Sequence, residues 1–340
     1  MTDDASPEGG RAVSRGFWFG RRVLVTGCTG LLGSWLCARL VELGADVVGL
    51  VRDQVPGTHL ARSGADRRIR QARGSATSYR TVERLFTEYE IDSCFHLAAQ
   101  TIVTIANRSP LSTFESNIKG TWTVLEAARH APTLERLVVA SSDKVYGAAG
   151  ALPCTEESVL RGQHPYDVSK VCADHLAQCY AQTYGVPLAI TRCANLYGGG
   201  DLNFNRVIPG TIRSLFFDED PVIRSDGSPR RDYLYVEDAV TACLGLAEHL
   251  PAPGVTGEAF NFSPEDSLTV REIVERVIAV SGQTHRRPRL LGRTVPAGEI
   301  PDQCLSAAKA KRVLGWKPAW GMDDAIAKTI EWYAAHLGGG

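Results

Sequence analysis

The sequence predicts an α/β fold, a doubly wound parallel sheet with a smaller α+β lid, and three observations carry that reading. Short β-branched runs alternate with amphipathic stretches through the N-terminal half. The runs are continuously apolar, as strands covered on both faces should be. A glycine triplet follows the first run and opens the first long amphipathic stretch. Strand–helix–strand repetition at this spacing implies right-handed crossovers with helices on both faces.

The expected strands are Arg22–Thr26, Asp46–Val51, Ser93–Leu97, Leu137–Ser141 and Leu188–Arg192. The expected helices between them are Leu31–Leu43, Tyr79–Tyr89, Ser109–His130 and Ser169–Tyr184. The basic stretch Arg62–Arg73 reads as a solvated loop with a short strand. After Asn195 the texture changes, and Gly198-Gly199-Gly200 and Asp226-Gly227-Ser228-Pro229 mark turns. Val236–Leu250 reads as a helix returning to the first domain. Helices at Thr269–Ser281 and Gly321–His336 belong to the lid, and the polar, glycine-rich residues 1–20 read as a flexible tail.

Composition narrows the function. The 340 residues suit about two domains, and 44% hydrophobic residues suffice for a full core. Lys+Arg is 37 and Asp+Glu 38, so the basic field of a dedicated nucleic-acid binder is missing. No apolar run is long enough to span a membrane. The N-terminus lacks the apolar core of a signal peptide, so the expected location is the cytoplasm. The nine cysteines form no CxxC pair and read as reduced, mostly buried thiols, with no metal site.

In Arg22-Val-Leu-Val-Thr-Gly27-Cys-Thr-Gly30-Leu-Leu-Gly33, the glycines have GxxGxxG spacing between a strand and a helix. Gly27 permits a tight turn, Gly30 lets a pyrophosphate approach the backbone, and Gly33 lets the helix pack close to the sheet. Phosphates would meet free amides at the positive helix end. This is the start of a Rossmann-type dinucleotide site, with Thr29, Leu31 and Leu32 completing the turn. The second strand ends Val51-Arg52-Asp53. Val51 holds the position where NAD enzymes carry an acid, Arg52 could take a 2′-phosphate and Asp53 a ribose hydroxyl, so NAD and NADP both stay open. Leu97-Ala98-Ala99-Gln100-Thr101 would pass over the cofactor, with His96 as a packed histidine.

Tyr166 and Lys170 form YxxxK on one face of a helix. The ammonium can lower the tyrosine pKa, and the tyrosine can take an alcohol proton while a nicotinamide takes hydride. Ser141-Ser142-Asp143-Lys144 closes the fourth buried run, at the sheet edge where open α/β folds keep their sites.

With TGCTGLLGSWL, HLAAQT, SNIKGT, SSDKVYG, PYDVSK, RCANLYGGGD, RRDYLYVEDA and LGWKP, the chain resembles the extended short-chain dehydrogenase/reductase family of nucleotide-sugar enzymes over residues 21–337. Its Ser142-Asp143-Lys144 triplet looks most like the 4,6-dehydratases, and with GSWL and GGGD, most like the CDP-glucose group. The resemblance implies a dinucleotide domain of residues 21–194 plus 236–260 and a nucleotide-sugar domain of residues 195–235 plus 261–337. It implies NAD that stays tightly bound and is regenerated each turnover, and a homodimer joined through the helices around Ser109–His130 and Ser169–Tyr184. Tyr166, aided by Ser142 and Lys170, would deprotonate the sugar 4-hydroxyl as hydride leaves C4 for the nicotinamide, and protonated Asp143 would release the C6 hydroxyl. Lys144 stands where a glutamate base is usual, and its direction of proton transfer is left open. Asn117 would lie near the cofactor and Thr101 near the sugar. Asn195, Arg231, Arg206 and Arg224 would meet the nucleotide diphosphate. Gly74-Ser75 replaces a common Gly-Asp near the adenine, removing one candidate contact. A 4-epimerase on the same scaffold is the alternative, and a non-catalytic dinucleotide sensor the more distant one.

Overall fold

The computed structural model describes residues 15–292 and 300–338. Its first half runs α1 (Arg15–Trp18), β1 (Arg22–Thr26), α2 (Leu31–Glu42), β2 (Asp46–Val51), α3 (His59–Arg62), β3 (Arg70–Arg73), α4 (Tyr79–Glu88) and β4 (Ser93–His96). Then come α5 (Val103–Arg108), α6 (Pro110–Phe114), a π-turn at Glu115–Lys119, α7 (Gly120–Arg129) and β5 (Arg136–Ala140). A 3-10 turn at Asp143–Tyr146 leads to α8 (Pro165–Tyr184) and β6 (Leu188–Cys193). The second half holds β7 (Asn195–Tyr197), α9 (Val207–Phe216), β8 (Val222–Ile223), β9 (Arg230–Tyr235), α10 (Val236–His249) and β10 (Ala259–Phe262). It closes with β11 (Ser267–Thr269), α11 (Val270–Val280), β12 (Arg289–Leu290), β13 (Asp302–Gln303), α12 (Ala308–Leu314) and α13 (Met322–Leu337).

Seven strands form one parallel sheet in the order β10-β6-β5-β4-β1-β2-β3. Its apolar residues sort by parity. Val23 and Val25 of β1 join one core with Trp18, Phe95, Val138 and Phe260, while Leu24 joins the other with Val48, Phe86, Leu137 and Val139. A sheet with a dry core on each face is what continuous apolar runs demand. The strand order reverses between β1 and β4, so their carboxyl ends open a crevice there.

The lid has its own core of Tyr197, Ile208, Ile212, Ile273, Val277 and Tyr333. Its central strand, β9, pairs with β7, β11 and β13. Thr269 and Glu272 close a capping box at the start of α11, which satisfies two amides that the helix cannot.

The expected strands and helices form within a few residues of their sequence-read limits. Helix α8 starts four residues earlier than expected because Pro165 takes its first position, where the missing N–H costs nothing. The expected tail includes a docked segment from Arg15 to Trp18. Residues 1–14 lie outside the described residues, but α1 packs down, with Trp18 fully buried beside Phe95 and its indole donating to Glu248 at 2.7 Å. Two aromatic side chains bury too much area to stay in water. Strand β10 extends the large sheet through position 260 and was not expected. Six cysteines are buried, whereas Cys179 is exposed on α8.

Candidate active site

A cavity of about 1600 Å3 runs from the glycine turn after β1 to the lid. Single small-ligand pockets are roughly 300–1,000 Å3, so this one has room for two.

At its first end the glycines behave as their spacing requires. Gly27 has φ +75°, and a Cβ there would stand 2.8 Å from the Ala98 amide. A Cβ on Gly33 would stand 2.1 Å from the Gly27 carbonyl. Gly30 caps α2 without a side-chain bond, so the first-turn amides of Leu31, Leu32 and Gly33 are left to the cavity. Donors with no helical acceptor, at the positive end of a dipole, suit a pyrophosphate. Thr29, Leu97, Ala98, Ala99 and Thr101 line the same wall.

Val51 is buried at the end of β2, and Arg52 Nε donates to Asp53 Oδ2 at 2.6 Å on the cavity rim. Gly74 and Ser75 also line this end. Cys28 fits within the turn, its thiol 3.5 Å from the Leu50 carbonyl. His96 is packed, with Nδ1 2.8 Å from Thr26 Oγ1 and Nε2 3.1 Å from Thr121 Oγ1. Burial lowers its pKa to about 3.

Gln100 and Asn117 stand behind this wall. Asn117 is buried, accepts from the Gln100 amide at 2.7 Å, and donates to the Gln100 carbonyl and to Ser169 Oγ. It ties the loop after β4 to helix α8.

The middle of the cavity holds Ser142, Asp143, Lys144, Tyr166 and Lys170 together. Ser142 comes from the end of β5 and caps the 3-10 turn. Its hydroxyl donates to Asp143 Oδ1 at 2.9 Å and accepts from the Lys144 backbone amide at 3.2 Å. Asn195 Nδ2 reaches Asp143 Oδ2 at 3.4 Å. Lys170 Nζ donates to the Ala140 carbonyl at 2.8 Å, and burial lowers its pKa to about 8. Burial raises Tyr166 to about 12, against the Ser142 bond and the Arg206 charge that lower it. The expected lowering of the tyrosine is therefore outweighed by desolvation in the protein alone.

Helix α8, which carries Tyr166 and Lys170, is held by a buried ion pair. Asp174 accepts from Arg192 Nε and Nη2, both at 2.9 Å, with side chains 0% and 3% exposed. Arg192 Nη1 also donates to the Tyr146 hydroxyl, which donates to Asn261.

At the lid end, Arg206, Arg224 and Arg231 all line the cavity. Arg206 pairs with Asp201 at 3.1 Å, and Arg224 donates to Asn205 at 2.6 Å. Arg231 is buried and donates to the carbonyls of Arg230, Pro301 and Ile300. Asp167 of the cavity lining and Gln303, which does not line it, are among the residues that went unread in the sequence. Asp167 sits in the quoted PYDVSK motif, where Tyr166 and Lys170 drew the assignment. Gln303 touches both Lys144 and Asp143 but had no local signal at all. Among the described residues no cluster of three or more His, Cys, Asp or Glu could hold a metal, and no helix is long and apolar enough to cross a membrane.

The family model for GDP-mannose 4,6 dehydratase matches residues 24–329. The CDP-glucose 4,6-dehydratase of Salmonella typhimurium is 29% identical over 341 residues, covering 96% of this chain and 94% of that protein. DesIV, the dTDP-glucose 4,6-dehydratase of Streptomyces venezuelae solved with NAD and TYD bound, superposes with TM-score 0.81 at 29% identity, over 93% of this chain and 98% of that one. The UDP-glucose 4-epimerase of Thermotoga maritima, solved with UDP-glucose, gives TM-score 0.83 at 26% identity, over 93% and 99% of the two chains.

Proposed function

The chain belongs to the GDP-mannose 4,6 dehydratase family, and from that premise we propose that it is an NDP-sugar 4,6-dehydratase, a lyase acting on CDP-glucose. One observation carries the choice: Asp143 and Lys144 line the same cavity as Tyr166, with Asp143 accepting a hydrogen bond from Ser142 of that cavity. A 4-epimerase needs Tyr166 and Lys170 but has no leaving group to protonate. A silent dinucleotide sensor needs none of the five.

The Gly27–Gly33 turn, Leu97, Ala98, Ala99, Thr101 and Lys170 would hold NAD, which when bound would supply the hydride acceptor for C4 and the hydride donor for C6. The Arg52 guanidinium that a 2′-phosphate would need is already paired with Asp53, which favours NAD over NADP. Tyr166 takes the proton of the sugar 4-hydroxyl, and Ser142 orients that hydroxyl. The C4 ketone so formed acidifies C5–H. Once the C5 proton is lost, Asp143 gives a proton to the C6 hydroxyl, which leaves as water, and return of hydride to C6 and of a proton to C5 yields the 4-keto-6-deoxy sugar. Asn195, Arg206, Arg224 and Arg231 face the nucleotide diphosphate. A guanidinium fork suits that anion.

CDP-glucose is supported by the Lys144 in the triplet and by the similarity to the Salmonella enzyme. A homodimer through α6, α7 and α8 is supported by Leu111, Trp122 and Tyr184, which are 71%, 45% and 53% exposed on those helices. Sedimentation at micromolar concentration tests it, and a monomer would count against it. Function is tested by mass spectrometry after incubation with CDP-, dTDP-, UDP- and GDP-sugars. Loss of water from the CDP-glucose sample supports the reading, and a product of unchanged mass from all of them contradicts it.

A further inference from the structure

One of the arginines at the lid end takes its aim from a turn that is held from outside the cavity. Arg206 pairs with Asp201 at 3.1 Å, and both line the cavity. A guanidinium has five N–H donors, so one bond to a carboxylate does not exhaust it. Asp201 is buried, and its Oδ1 also accepts from the Asn203 amide at 3.1 Å. The carboxylate is therefore the fixed member of the pair. Yet the backbone leading into it is Gly198-Gly199-Gly200, a run that by itself would leave Asp201 loosely placed.

Two side chains remove that freedom. Trp35 Nε1 donates to the Gly199 carbonyl at 2.7 Å. The Tyr333 hydroxyl, from α13, donates to the Asp201 carbonyl at 2.6 Å. The space is closed as well, since a Cβ on Gly199 would stand 2.2 Å from Trp332 Cγ. The Trp35 indole is itself clamped. Its ring stacks on the His59 imidazole, 3.6 Å between centroids and 3° between planes. His59 Nδ1 in turn faces Trp332 Nε1 at 3.2 Å. An indole N–H only donates, so Nδ1 carries the lone pair and the imidazole proton sits on Nε2. Trp35 belongs to α2, one turn beyond the first-turn amides at the dinucleotide end. One N–H thus ties the cofactor helix to the turn that carries Asp201.

We propose that Trp35 is a positioning residue for Arg206: through the Gly199 carbonyl it fixes the glycine turn from which Asp201 aims the guanidinium at the nucleotide-sugar diphosphate. Tyr333 holds the same turn from the lid side. This rests on the reading of Arg206 as a diphosphate contact. The role is preorganisation, because an arginine already aimed loses less freedom when the anion arrives.

The test uses the full chain in saturating NAD. The wild type is titrated calorimetrically with CDP, dTDP, UDP and GDP, and the tightest of the four is carried forward with its glucose ester as substrate. Trp35→Phe keeps a ring on His59 and deletes only the N–H; thermal melting verifies folding. Its Kd for the nucleotide should rise about three- to tenfold, the usual size of one hydrogen bond. KM should rise with it while kcat stays within about twofold, as expected when only binding is lost. A general loosening of the lid would also weaken binding, so the deciding readout is the coupling to Arg206. Placed on Arg206→Gln, Trp35→Phe should weaken binding no further, because residues acting through one another are not additive. Tyr333→Phe should show the same coupling, and it decides the matter should Trp35→Phe not fold. Additive losses on the Arg206→Gln background, or an unchanged Kd in folded Trp35→Phe, overturn the proposal. A wild type that binds none of the four nucleotides, or whose affinity is indifferent to Arg206→Gln, brings down the diphosphate reading and this one together. Affinity that needs Arg206 but ignores Trp35→Phe brings down this one alone.

Discussion

The Ser142 hydroxyl donates to Asp143 Oδ1 at 2.9 Å and lines the same cavity as Tyr166, so one serine is placed to serve both the residue that opens the proposed reaction and the one that ends it. Ser142→Ala should therefore slow C4 oxidation and water loss together, by roughly 10²-fold or more. Nicotinamide absorbance in single turnovers and product mass read the two steps separately. Loss of only one step would show that the serine serves a single partner.

Gly33→Ala should empty the dinucleotide site. The new Cβ would need the space of the Gly27 carbonyl, 2.1 Å away, and a backbone atom cannot swing aside as a side chain can. The variant should purify without bound nicotinamide nucleotide, as measured by chromatography of a heat-released extract. It should also melt earlier than the wild type.

Breaking the buried Arg192–Asp174 pair should be costly. Asp174→Ala leaves a guanidinium that is 3% exposed without its carboxylate, a loss of about 3–5 kcal/mol. Denaturant titration measures it. The double replacement Asp174→Leu with Arg192→Leu should recover part of the loss, because no charge is then stranded.

Stability should decline in mild acid. Burial lowers His96 from 6.5 to about 3 and His59 from 6.5 to about 4. The unfolded chain thus binds protons that the folded chain refuses. Their contribution is full above about pH 6.5 and is lost as pH falls toward those values, with a slope of up to about 1.4 kcal/mol per pH unit for each group. Melting temperature from neutral to acidic pH checks this, and His96→Gln should flatten the curve.

Much of this molecule was legible because its signals are local. The runs Arg22–Thr26 and Asp46–Val51 declare buried parallel strands by unbroken apolar character. Tyr166 and Lys170 declare a shared helix face by spacing alone. What stayed hidden depends on distant pairing. Strand β10 is only Ala-Phe-Asn-Phe, and it becomes a strand by lying along Ile190–Cys193. Gln303 gains its meaning from the register of β13 on β9, which no local pattern encodes. The aromatic pair Phe17-Trp18 was a readable hint that the polar N-terminal segment docks before residue 21. The upward shift of Tyr166 needed the structure, because desolvation is set by everything that packs around the ring.

The most direct test of the dehydration account is Asp143→Asn, compared with the wild type on CDP-glucose by mass spectrometry and nicotinamide absorbance in single turnovers. The account predicts that the variant still oxidises C4 but forms the dehydrated product at least about 10²-fold more slowly, the worth of a placed general acid. Dehydration by Asp143→Asn at the wild-type rate would contradict it.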